Sequence, residues 1–159
     1  MSFIQTHPAI TIATSVVIAL CANALAAGDA LAQLGGTMAA SQVNDNSTQR
    51  VLPGSAVRVR STIDAGGTTI NEYATRDGLI FACAWQGPTM PDLTRILGPY
   101  AERYRANAAA QFNATGHLHA SRVEQPDVII EAGGQMRSYV GRAWLPAALP
   151  ADVSLVDLR

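Results

Sequence analysis

Apolar and polar positions change period along the chain, and the changes mark out its elements. Val57, Val59, Ser61 and Ile63 alternate with Arg58, Arg60 and Thr62, the period of two that predicts a half-buried strand with its arginines toward water. The turn Asp64-Ala65-Gly66-Gly67 leads into a second strand over residues 68–75, rich in Thr, Ile and Tyr. Arg76-Asp77-Gly78 then predicts a tight hairpin turn, with Asp-Gly supplying positive φ angles. The run Leu79-Ile80-Phe81-Ala82-Cys83-Ala84-Trp85 is unbroken and apolar, as expected of a strand covered on both faces at the centre of its sheet.

After Trp85 the period lengthens. Gly87-Pro88 and Pro91-Asp92 end the strand and open a helix, with proline in the first turn and a carboxylate at the positive end of the dipole. Leu93, Ile96, Leu97, Tyr100 and Tyr104 form one stripe at helical spacing. Pro99 interrupts it by removing a donor to the carbonyl of Arg95, so a kink or two abutting helices are expected. Residues 116–123, 127–132 and 136–145 then read as a second meander, with Gly133-Gly134 as a turn and the block Val128-Ile129-Ile130 as strand interior. The proline-bounded tail from Pro146 is expected to dock as a short strand or helix. The predicted fold is α+β: an antiparallel sheet of about six strands, in the order three strands, helix, three strands, with one kinked helix packed on a face.

The N-terminal part has a different character. From Ala9 to Ala27 the chain carries no charge and then closes on Ala30-Leu31-Ala32, so residues 1–32 are expected to be a signal peptide cleaved before Gln33. The first ten residues contain no Lys or Arg, which leaves a retained anchor as an alternative. A lipid anchor at Cys21 is disfavoured by Leu20 before it. Residues 33–50 are polar and lack apolar periodicity, so a flexible leader is expected there, followed by a single domain over residues 51–159. The membrane is expected to be met only through the signal segment, and the localisation to be periplasmic or secreted.

Composition narrows the function classes. The 11 basic residues, all of them Arg, stand against 12 acidic ones, of which Asp29 falls in the expected signal. That neutrality offers no field for nucleic acid. Of the two cysteines, Cys21 lies in the signal, so Cys83 is left without an intramolecular disulfide partner and reads as a small buried hydrophobe.

Candidate chemistry is sparse, and no catalytic residue is assigned. His117 and His119, two apart on a predicted strand, share a face as two metal ligands would, but they lack a third ligand nearby. There is no nucleophile elbow, zincin motif or phosphate loop, and no cofactor is expected. The carboxylates Glu72, Asp77, Asp92, Glu102, Glu124, Asp127 and Glu131 are scattered singly, as solvated loops and edges require. Trp85 is expected to cap the core. Trp144 is the better surface candidate for an aromatic platform, with Arg137 and Arg142 contributing charge-assisted bonds.

The stretches Gly67-Thr68-Thr69-Ile70-Asn71-Glu72-Tyr73, Phe81-Ala82-Cys83-Ala84-Trp85-Gln86-Gly87-Pro88 and Glu131-Ala132-Gly133-Gly134-Gln135-Met136-Arg137, with the Leu149-Pro150-Ala151 ending, resemble an uncharacterised family of exported proteins of Gram-negative bacteria, a domain of unknown function. The resemblance spans nearly all of the chain after the expected cut. It implies export and one compact domain, and it carries over no site residue. Two readings follow: a non-enzymatic binding module for an envelope protein, peptide or polymer, and a small envelope enzyme or metal-binding protein using His117 and His119.

Overall fold

The structure is a computed structural model that describes residues 33–38, 47–115 and 120–159. The expected signal peptide, residues 1–32, lies outside the described residues. Strands β1 (Ser47–Val51), β2 (Arg58–Ile63), β3 (Thr69–Ala74) and β4 (Ile80–Gly87) are followed by helix α1 (Leu93–Leu97), a 3-10 turn (Gly98–Tyr100) and helix α2 (Ala101–Thr115). Strands β5 (Ala120–Glu124), β6 (Ile129–Gln135) and β7 (Ser138–Trp144) complete one antiparallel sheet in the order β1-β2-β3-β4-β7-β6-β5. The sheet therefore has seven strands rather than about six, and four of them precede the helix. β4 is the middle strand, as its unbroken apolar run requires, and Ile80 to Trp85 are all buried.

The seventh strand and a buried plug come from the segment expected to be a loose leader. β1 pairs with β2 along its whole length. Upstream of it, Leu34 and Met38 are 0% and 2% exposed. Backbone bonds hold this stretch: Leu34 N donates to Ile96 O, Gly35 N to Ile80 O and Met38 N to Gly78 O, and Ile80 N donates back to Gly36 O. Two well-spaced apolar residues and an intervening Gly-Gly suffice to enter the core, although they show no periodicity.

One face of the sheet carries the helix. Ile96, Leu97, Ala101 and Tyr104 meet Ile70, Cys83, Trp85, Ile130 and the plug, with Leu93 and Tyr100 partly buried at the margin. Asp92 caps α1 by accepting from the N–H groups of Thr94 and Arg95, and these bonds hold its carboxyl below the usual range. The bend falls at Gly98-Pro99, where the predicted stripe passes from α1 to α2. On the opposite face Val57, Val59, Tyr73, Phe81 and Trp144 are covered by the tail, which runs through 3-10 turns at Pro146–Ala148 and Leu155–Asp157 and buries Val153 and Leu158.

Three local expectations are corrected. Arg60 does not face water: it is 7% exposed and donates to Glu72 Oε2 at 2.6 Å, and its cross-strand neighbour Gln49 donates to Met38 Sδ of the plug. The Arg76-Asp77-Gly78 turn places only Gly78 at positive φ (97°), and it is closed by Thr75 N donating to Leu79 O and Gly78 N donating to Thr75 O. Gly133-Gly134 lies within β6, and the turn falls at Met136 and Arg137, with φ of 37° and 67°. Gly134 is used instead for close approach, since a Cβ there would lie 2.6 Å from the Tyr139 ring.

Candidate functional site

Antiparallel register aligns one residue from each strand in a row across the face opposite the helix: Thr48, Ser61, Asn71, Ala84, Arg142, Glu131 and Arg122. Except for Ala84 the row is polar, and its members bond to one another. Ser61 Oγ donates to Asn71 Oδ1 at 2.5 Å, and Asn71 Nδ2 donates to Arg159 O at 2.6 Å. On the far side Arg142 Nε donates to Glu131 Oε2 at 2.7 Å, and Arg122 Nη1 donates to the other oxygen of the same carboxylate. Arg122 also donates to Glu124, and this bond is the main cause of its raised pKa.

Ala84 leaves a gap in this row. In the neighbouring row, Gln86, Val140, Gly133 and Ala120, the last two are small, and the gap widens into a groove of about 570 Å³ over β4, β7, β6 and β5. Leu158 and Arg159 of the tail belong to its lining. This part of the tail is held from below: the Tyr73 hydroxyl donates to Arg159 O at 2.8 Å and accepts from Arg159 N at 2.9 Å, and burial raises the phenol's pKa. Gly141 makes room on the helix side for Trp85, since a Cβ at position 141 would stand 2.2 Å from Trp85 Cζ2.

Arg122, Arg142 and Arg159 belong to the groove's lining together with Glu131, and the charges are largely paired, Arg122 with Glu124 and Glu131 and Arg142 with Glu131. Arg142 spends Nε on Glu131 and Nη1 on Leu155 O, and its guanidinium lies 5.5 Å from the centre of the Trp144 ring. Among the described residues its Nη2 and the Arg159 guanidinium have no hydrogen-bond partner.

The structure brings together two of the three residues singled out as a platform. Arg142 and Trp144 are neighbours on one face, but Trp144 is 3% exposed beneath the tail and offers its ring to Arg142 and the core rather than to solvent. Arg137 is exposed at the tip of the β6–β7 hairpin, away from them. His117 and His119 lie outside the described residues, and among the described residues no group of three metal-ligating side chains occurs. Cys83 is fully buried, and burial, reinforced by the Glu72 charge, pushes its thiol well up, away from reactivity. Glu131 and Arg122 are the residues that sequence reasoning passed over as a pair. Their alternating positions on two predicted strands were visible, but their partnership depends on register.

No curated protein and no solved structure matches the chain. Residues 30–158 match the family of proteins of unknown function designated DUF2844. The match covers the plug, all seven strands, the helix and the tail up to Leu158, so this protein belongs to the DUF2844 family.

Proposed function

We propose that the protein is an exported, non-enzymatic binding module that acts in the periplasm or outside the cell, and that the groove beside the tail receives a segment of a partner protein, peptide or envelope polymer. The observation that carries this reading is the half-covered sheet face. The tail shields the apolar half over Tyr73, Phe81 and Trp144, and beside Leu158 the face carries a groove of about 570 Å³ whose lining includes Ala84, Ala120, Gly133, Arg122 and Arg142. That size falls within the range of about 300–1,000 Å³ usual for ligand sites, and an apolar floor with a few convergent polar groups is their usual chemistry. Catalysis has less support, because the polar lining residues are arginines, one carboxylate, a glutamine and Ser121, whose hydroxyl is paired with the Tyr104 hydroxyl rather than with a base. The apolar N-terminal stretch ending in Ala30-Leu31-Ala32 supports export.

The test is amide chemical-shift mapping of the protein against a panel of short peptides and cell-envelope oligosaccharides. Ligands are expected to shift Ala84–Gln86, Ala120–Arg122, Glu131–Gly133 and Val140–Arg142 together. Shifts confined to the β1 edge or the helix surface, with the groove silent, would overturn the assignment.

A further inference from the structure

We infer that residues 153–159 form a strap that undocks from the sheet as one unit while the strands stay paired, and that its docking decides how much apolar face the protein shows. The strap lies on the sheet without joining it. The ladder is complete from β1 to β7 among the described residues, and the strap crosses one face through the 3-10 turn Leu155–Asp157. Its own backbone bonds are mostly local: Asp157 N donates to Ser154 O and Leu158 N to Leu155 O, and Ser154 N donates to Asp157 Oδ2 to close a capping box. Undocking therefore breaks no ladder bond. The exposed residues Ala151 and Asp152, just after Pro150, supply the hinge. Upstream of the hinge the chain is tied to the sheet by Leu145 N, which donates to Phe81 O.

The attachments are few. Within the strap Val153 and Leu158 are buried, whereas Val156 is 71% exposed. The polar hold comes from sheet side chains that grip the strap's main chain. The Tyr73 hydroxyl donates to Arg159 O and accepts from Arg159 N, Asn71 Nδ2 donates to the same carbonyl, and Arg142 Nη1 donates to Leu155 O at 2.7 Å. Two apolar side chains and these bonds must offset the conformational entropy lost by the whole segment, so opening here costs less than unfolding the sheet beneath. What the strap covers is apolar. Val59, Tyr73 and Ala84 share a buried cluster with Val153 and Leu158, and Ala84 and Leu158 also line the groove. Docked, the strap separates groove from cluster; undocked, it leaves them as one open face. The device stands whatever the groove receives.

Native-state amide hydrogen exchange on the full chain tests this. The amides of Val153, Asp157, Leu158 and Arg159 are expected to share one opening, about a hundredfold more populated than the opening that exposes the β4 amides. Leu34→Ala, on the helix face, is expected to speed β4 exchange by about thirtyfold or more while leaving the strap amides unchanged, because it weakens the docked and undocked states alike. Tyr73→Phe keeps the ring and removes the hydroxyl. It is expected to speed all four strap amides by the same factor, about tenfold, including Val153, which lies at the far end of the strap from Arg159. With Asn71→Ala added, an anilinonaphthalene dye is expected to light up at a concentration where the wild type stays dark, with β4 still protected. Strap amides that exchange at the β4 rate and respond to Leu34→Ala would overturn the inference. Acceleration confined to Leu158 and Arg159 in Tyr73→Phe would reduce the strap to a fraying end and overturn it too. A dark dye on a variant whose strap amides have sped up would overturn the exposed face.

Discussion

A chain that starts at Ala39 is expected to lose the cooperative thermal unfolding transition shown by one that starts at Gln33. The six residues removed include Leu34 and Met38, which fill the space between α1, β4 and the hairpin turn at Gly78. Excising a buried aliphatic side chain of this kind costs about 2–5 kcal/mol, because the contacts are lost and the cavity does not fully close. Two such losses come with several backbone bonds, one of them the donor to the Ile96 carbonyl at the end of α1. The sum is comparable to the whole stability of a small domain, about 5–15 kcal/mol. Leu34→Ala alone is expected to cost about 2–5 kcal/mol. Circular dichroism melts of the two chain lengths and of the point variant measure both effects, and an unchanged midpoint in the shortened chain would show that the plug is dispensable.

Glu72→Ala is expected to destabilise the protein by about 3–5 kcal/mol, because it strands the Arg60 guanidinium inside the fold. The pair is buried on both sides, with side chains 8% and 7% exposed and a 2.6 Å contact. Replacing both partners, Arg60→Met with Glu72→Leu, is expected to be near neutral or stabilising, since the attraction is offset by desolvation. The same balance appears in the titration. Burial raises the Glu72 carboxyl above its ordinary 4.5 and outweighs the lowering by the Arg60 hydrogen bond and charge. The folded state therefore holds this proton more tightly than the unfolded one. Its contribution to stability is complete below pH 4.5 and is lost as pH rises through the raised value. Denaturant midpoints measured from acid to neutral pH should show the wild type losing ground to the double variant as pH rises. A gap that moved the opposite way would mean that Arg60 dominates.

Much of the fold was legible because periodic burial leaves a periodic trace. The strand around Val57 and Val59, the central run through Cys83, and the stripe from Leu93 to Tyr104 each commit a face to the core, and each is found there. The bend at Pro99 was legible for a covalent reason, since proline has no N–H to give. The plug was not legible, because Leu34 and Met38 enter the core as single residues on irregular backbone and no period announces them. Arg60 was misread for a related reason. A strand's two faces differ in exposure only when one of them is left uncovered, and here both are covered at that position, by the plug on one side and the tail on the other.

The candidate site shows the same division more sharply. Arg142 was reachable as a charged residue beside an aromatic one, and alternation put it on the same face as Trp144. Whether Trp144 offered its ring to solvent depended on the path of the tail, which hides it. Glu131 and Arg122 belong to the site only because β6 lies between β7 and β5 in one particular register, and a shift of one residue would turn all of these side chains to the helix side.

The sequence by itself determined which residues must leave water: the alternation in the strands, the stripe on the helix and the unbroken apolar middle strand, because hydrophobic burial is written locally at the period of each element. Only the tertiary structure decided that the first residues after the expected signal close the core, that the tail covers half of one face, and that Ala84 opens a gap in a polar row beside three arginines. Those outcomes depend on which distant segments meet and in what register, and contacts between residues far apart in the chain leave no period in it.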